Sequence, residues 1–394
     1  MSFLQAIRHS YFADKNYSIL YMHSIVKGLG FTVMFLYIGG WLYQTGLGLE
    51  WVFAYHAAHF ALMGLFSPLS TFSTRKFGLP ITYAISFVML FIGLIFLTFS
   101  GDGMEYIIAG LFFSGLGFGL QGPVDAVLHA FYVSDDKRGK VFSVISALSV
   151  ILSSAIVIGT GFLMDQYGLL GACILCGISW LGCSLMMFFL DKPKNNMTEV
   201  PSLKLYKASF SDEYKPYLHV AAGYQFVIIA SVVIIPIILY LAVRSFTGMS
   251  LIAVVAMIAQ TVIITLYGIW VDKSHANQRP LILALVVHSV GLILFSVSSF
   301  AIGLLFVAQT LQRTGFMLYM GVVFPRVHQS LVNRKWPLLD AGAVHHMQIT
   351  FCEVMTLIIM AIMVSLYDAS ILPLLLFICI GGSVVTYKGI KAVS

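Results

Sequence analysis

The chain has 394 residues, of which 59% are hydrophobic and only 10% charged, and its mean hydropathy is +0.94. An average soluble domain is about 25% charged, so these proportions exclude a soluble fold. The net charge of +6 invites a nucleic-acid reading, but the distribution of the basic residues reflects membrane orientation instead.

A helix needs about 20 apolar residues to cross the hydrocarbon core of a bilayer. In chain order, twelve segments meet that need: 16–42, 50–72, 80–99, 104–133, 138–163, 168–190, 217–243, 248–270, 279–299, 300–328, 340–367 and 370–391. The start, Met1 to Tyr17, is polar and amphipathic and lacks the pattern of a cleavable signal peptide. Of the 22 Lys and Arg, Arg244 alone falls on the side of the second, fourth and later even-numbered segment starts, while Lys27 and Arg313 lie inside spans. All the others sit at the termini or on the same side as the termini, which the positive-inside rule makes cytoplasmic. The polar stretch from Asp191 to Lys215, with Pro193 and Pro201, divides the chain into two six-helix halves, 1–190 and 217–394, joined by a cytoplasmic linker over 191–216. Cys173 and Cys176 form a C-x-x-C in the middle of an apolar span with no second ligand pair, which reads as core packing.

The short connections carry recognisable patterns. After the eighth span comes Gly268-Ile269-Trp270-Val271-Asp272-Lys273, with Arg279 following; after the fourth comes Asp135-Asp136-Lys137-Arg138-Gly139-Lys140. The fourth span itself holds Gly115, Gly117 and Gly119. In these residues and in its six-plus-six layout the chain resembles the major facilitator superfamily over its whole length. The resemblance implies an all-α membrane fold in which spans 1, 4, 7 and 10 line a central cavity, spans 2, 5, 8 and 11 flank it, and spans 3, 6, 9 and 12 face lipid more. It implies gates at the loops between spans 2 and 3 and between spans 8 and 9, with Arg75, Asp272 and Lys273 as the gating candidates. At the corresponding loop between spans 2 and 3 the chain departs from the pattern: Arg75 stands where the family has an Asp, and Thr71 where it has a Gly. Leu111 likewise replaces the Arg of many proton-coupled members, and 153–161 lacks the Gly-Pro signature of drug/proton antiporters.

Charges inside spans are the expensive residues, at about 2.5–3.5 kcal/mol each on insertion scales, and they mark functional positions by default. In span 1, His23, Lys27 and Phe31 recur every fourth residue and share a helix face, with Lys27 ~15 Å deep. Span 4 repeats that spacing with Gln121, Asp125 and His129, the carboxylate lying ~12 Å from the cytoplasmic end. Lys27 is either a substrate anchor or one partner of a structural ion pair with Asp125, and Asp125 is either a proton site or part of a polar stripe that hydrates the inner vestibule without titrating. Span 10 holds Gln309, Gln312 and Arg313, whose planar fork suits carboxylate or phosphate. Span 11 offers His346, Thr350 and Glu353 on one face, at depths that make an Arg313–Glu353 pair geometrically accessible. Tyr224 and Gln225 in span 7 and Gln260 in span 8 are further hydrogen-bonding candidates, with interhelical contact as the plainer reading.

The expectation is a secondary active transporter that moves a small organic anion or zwitterion by alternating access, coupled to protons in symport. Lys27 and Arg313 would hold the substrate's negative group, aided by His23, Phe31, Gln121, Tyr224, Gln225, Gln309 and Gln312. Asp125, His129, His346 and Glu353 would handle protons. An exporter of amphiphilic metabolites, siderophores or drugs is the alternative within the class, and a non-transporting sensor or scaffold the alternative outside it. No enzyme constellation, metal cluster, cofactor motif or nucleotide-binding G-x-x-x-x-G-K-[ST] occurs in the sequence. The expected partners are a small-molecule substrate, protons and the lipid bilayer, with one chain sufficient as a monomer in a bacterial inner membrane.

Overall fold

The computed structural model describes residues 15–132, 154–191, 202–212, 214–271, 279–297, 302–332 and 338–393. The described residues are almost entirely helical. The first half contains α1 (Lys15–Gln44), α2 (Leu49–Phe77), α3 (Leu79–Thr98), α4 (Met104–Tyr132), α5 (154–167) and α6 (Leu169–Met187). A short helix, α7 (Ser202–Ser209), lies in the connection. The second half contains α8 (Lys215–Ile229), a π-helical turn (Ala230–Ile234), α9 (Ile235–Val243), α10 (Phe246–Val271), α11 (Arg279–Val297), α12 (Ile302–Val332), α13 (Leu338–Tyr367) and α14 (Leu372–Val393). Seven of the described helical stretches are long and apolar enough to cross a membrane by length and composition.

Helix starts and stops follow local chemistry. Gly78, at φ 86°, turns the chain between α2 and α3 in a conformation that favours glycine, and Pro80 occupies the first turn of α3. Arg75 therefore belongs to the last turn of α2, not to a loop, because the helix runs to Phe77, five residues beyond the apolar segment at 50–72. Pro236 lies just after the π turn. A proline has no N–H to give and its ring crowds the carbonyl four residues earlier, and the wider π turn takes up that mismatch.

In the first half α4 packs along both α2 and α3, and α6 packs on α1 and α3; in the second, α12 packs on α11 and α10, and α14 on α8 and α11. Glycines allow the closest of these approaches. A Cβ on Gly291 would fall 2.4 Å from the backbone nitrogen of Gln312, and one on Gly315 would fall 2.3 Å from that of His288. Small residues at such crossings let helix backbones approach where apolar lipid gives no hydrophobic drive between helices. His288 is fully buried in this contact, its Nδ1 3.3 Å from the Gln312 carbonyl oxygen, while Ile282, Val286, Val290 and Ile293 of the same helix are exposed. Likewise α3 and α6 bury Tyr83 and Trp180 inward, while Val88, Ile95, Ile178 and Leu181 remain exposed outward.

The halves meet chiefly along α2 and α13, with further contacts from α13 to α4 and from α9 to α1. Lys15 pairs with Asp191 at 3.1 Å, placing the start of α1 and the end of α6 on one face, here termed the terminal face. The linker is not merely a polar loop on that side. Tyr206 of α7 donates to the Leu65 carbonyl of α2, and the Gln348 amide of α13 donates to the carbonyls of Ser209 and Tyr214 at 2.7 and 3.0 Å. The linker helix thus touches both halves.

Candidate functional site

The centre of the first half is built on an ion pair. Lys27 Nζ lies 2.8 Å from Asp125 Oδ1, joining α1 to α4, and the side chains keep 19% and 26% of their surface accessible. Pro123 sits inside α4 two residues before Asp125, where it interrupts the backbone hydrogen-bond ladder. The Tyr83 hydroxyl donates to the same Asp125 oxygen. His23 is fully buried and stands edge-on to Tyr83, their ring centroids 5.2 Å apart. Tyr83 escapes a sequence reading that assigns span 3 to lipid. The available signal is its place as a hydroxyl-bearing ring between Thr82 and Ser86 in an otherwise apolar segment.

Beyond the pair the wall is aromatic. Lys27 Nζ is 6.0 Å from the Phe31 ring centre, and Phe31 stacks on Phe118 of α4 at 5.2 Å. Gln121 lies on α4 between Phe118 and Asp125, is 1% exposed, and neither atom of its amide has a hydrogen-bond partner among the described residues. His129 is within α4, but its side chain lies outside those described, as do Asp272, Lys273 and the 135–140 turn.

The second half is less charged at its centre than the sequence suggests. No Arg313–Glu353 pair forms; ion pairs between described residues include Lys15–Asp191, Lys27–Asp125 and Arg75–Asp340. Equal depth does not bring the two side chains together, because α12 packs mainly on α10 and α11, α13 packs mainly on α2 and α8, and the two helices touch each other only slightly. Glu353 is 3% exposed and lies within electrostatic range of Tyr224, which stacks on Tyr319 at 6.0 Å. Arg313 is half-buried. Gln312 Nε2 donates to Ser231 Oγ at 2.6 Å, linking α12 to the π turn, and Gln225 Nε2 donates to its own helix at the Ala222 carbonyl, 3.2 Å away. Gln309 and Gln260 are buried, each with its amide oxygen unpartnered among the described residues.

Between the halves, His346 of α13 sits against α2 and α4. Its Nδ1 is 2.7 Å from Ser67 Oγ, and a Cβ on Gly122 would fall 2.1 Å from its Nε2, so only glycine leaves room for the imidazole. His346 also lies within electrostatic range of Asp125. Nearer the terminal face, Arg75 of α2 is hydrogen-bonded to Asp340 of α13, whose side chain is wholly buried. Arg75 thus makes an ion pair across the seam with the polarity opposite to an Asp at that position. On the opposite face, Asp165 in the last turn of α5 accepts from Ser245 Oγ at 2.8 Å and from the N–H groups of Phe246 and Thr247 at 2.8 and 3.0 Å, capping α10. Tyr37 of α1 adds a 2.5 Å hydrogen bond to Ser250 of α10. The two halves are therefore tied at both faces.

The sequence profile of the Major Facilitator Superfamily matches residues 24–334, well over half of the chain. The chain belongs to this superfamily. Among solved structures, this superfamily member is similar in fold to a mutant of the nucleoside transporter NupG, with TM-score 0.63 and 14% identity over 95% of this chain and 98% of that one. It is similar also to the human organic anion transporter MFSD10 (TETRAN), with TM-score 0.67 and 11% identity over 95% and 99%. No curated protein matches the sequence significantly. Membership makes the protein a multi-pass member of a transporter family, in which a small-molecule substrate and a lipid bilayer are the partners.

Proposed function

We propose that this superfamily member moves a small organic anion or zwitterion through twelve spans with the terminal face cytoplasmic, and that the first-half ion pair couples binding to a proton. The observation that carries the reading is the Lys27–Asp125 pair, deep within spans yet partly accessible. Lys27 cannot serve a substrate carboxylate fully while Asp125 occupies it. A proton on Asp125 removes that competition and leaves the ammonium free for the anion, so proton and anion enter together and the site stays near neutral as it crosses the membrane. Ionised groups moved without compensation through a dry interior cost several kcal/mol. His346, packed between Ser67 and Gly122 within range of Asp125, is placed to report that protonation to the second half.

Glu353 fits a second protonatable position, since a buried carboxyl with no cation paired to it among the described residues crosses the interior far more cheaply as the neutral acid. Arg313 is the remaining cationic candidate and would engage the substrate only as the halves rearrange. The human structural neighbour is an organic anion transporter, and Lys27 would accept a substrate of that class.

The test is uptake by proteoliposomes at equal and unequal pH across the membrane. Anion accumulation driven by an inwardly directed proton gradient, abolished in Lys27→Ala and uncoupled in Asp125→Asn, is the expected result. Transport indifferent to the gradient, or intact in Lys27→Ala, would remove the ion pair from the mechanism.

A further inference from the structure

The wall next to Lys27 narrows the substrate class, an inference that rests on the anion reading above. Lys27, Phe31 and Phe35 follow one another every fourth residue on one face of α1, and all three keep part of their surface uncovered. Phe31 stacks on Phe118 at 5.2 Å, and Phe35 meets the same ring at 5.6 Å. Trp180 also meets Phe31, its ring tilted at 6.2 Å, and so adds to the packing that fixes it. One turn along α4 from both Phe118 and Asp125 lies Gln121, with the donor and the acceptor of its amide both buried and both unpartnered among the described residues. A buried amide left with two open hydrogen-bonding positions costs stability that a small aliphatic residue would not incur.

We infer that the site takes a planar heteroaromatic acid: its anionic group on Lys27, its ring against Phe31 and Phe118, and a donor–acceptor edge on the Gln121 amide. Each part of the ligand answers one feature of the wall. Flat aromatic faces favour a stacked ring over a saturated one of equal size. A side-chain amide reads an adjacent donor and acceptor in the plane of a ring by two hydrogen bonds, the geometry by which Gln and Asn recognise adenine. An aliphatic acid would satisfy Lys27 and leave the other two features unused.

Three carboxylates separate these contributions when their binding to the purified full-length protein is measured at pH 6: orotate, benzoate and cyclohexanecarboxylate. Benzoate is expected to bind about tenfold more tightly than cyclohexanecarboxylate, and orotate about tenfold more tightly again. Phe31→Leu should erase the first gap, with Phe118→Leu as the second variant if that protein does not assemble. Gln121→Leu should erase the gap between orotate and benzoate while leaving the unliganded melting temperature unchanged or higher. A fall in that temperature would assign the amide a structural partner and overturn its role. Equal affinity for all three ligands, lost in Lys27→Ala, would overturn the ring inference and leave the anion reading intact. Binding of none of the three, with Lys27-dependent binding of aliphatic amino acids, would do the same.

Discussion

Lys27 and Asp125 are the residues on which the most depends, and each predicts a different outcome. In the wild type, anion affinity should rise as pH falls, because protonating Asp125 frees Lys27; in Asp125→Asn it should be the same at pH 6 and pH 8. Isothermal titration at the two values checks this, and an unchanged pH dependence in the variant would place the proton elsewhere. Lys27→Ala leaves the Asp125 carboxyl with Tyr83 as its remaining hydrogen-bond donor among the described contacts. Losing one partner of a fully buried pair costs about 3–5 kcal/mol, and the partial exposure here brings the expectation down to about 1–3 kcal/mol. The lysine and the carboxylate were both legible in the sequence, since charges stand out in apolar spans. Tyr83 was not: a tyrosine in a membrane helix has no fixed orientation until its neighbours are known.

At the scale of elements, glycine marks the crossings. Gly315→Val and Gly291→Val each push a side chain into the backbone of the facing helix, where no rotamer change gives relief. Overpacking of this kind costs about 1–3 kcal/mol or more, and the expected readout is a clear fall in melting temperature in detergent. Gly122→Ala differs, because the clash is with the end of the His346 ring, which can swing away by giving up Ser67. Its expected cost is near that of one hydrogen bond, about 1 kcal/mol, with a loosened contact between α4 and α13. Most helix boundaries were legible to within a few residues from apolar length alone. The helix at Ser202–Ser209 was not, because its polar residues hide that Leu205 and Ser209, four apart, form a buried stripe against the rest of the protein.

The whole molecule is held at both faces by different chemistry. On the terminal face, Arg75→Asp or Asp340→Arg alone should open the seam between α2 and α13, and the double exchange should close it again. Distances between spin labels on Ser73 and Ala341, read in all three variants, decide the matter; an unrestored double variant would deny the pair its latching role. On the opposite face, partial burial pushes the Asp165 carboxyl upward, but the donors from Thr247, Phe246 and Ser245 together hold it below the ordinary carboxylate range. A depressed carboxylate contributes its stability above the unfolded value of about 4 and loses it only as pH falls through the lower folded value. Closure of this face should therefore be constant between pH 8 and pH 5, and Asp165→Asn should weaken it throughout that range. Label accessibility at Thr247 measures both.

Hydropathy alone determined that this is a membrane protein with charged groups inside its spans, because a bilayer makes apolar length and buried charge costly and therefore conspicuous. The family resemblance was legible in the layout and the short loop patterns. Tertiary structure decided who meets whom. It gave Lys27 to Asp125, withheld Arg313 from Glu353, paired Arg75 with Asp340 across the seam, and set a half-open aromatic wall beside the first of these. Depth along a helix is linear in sequence, but the choice of neighbouring helix is not. It depends on which faces the glycines, prolines and bulky rings allow to approach, and those contacts exist only once the helices have packed.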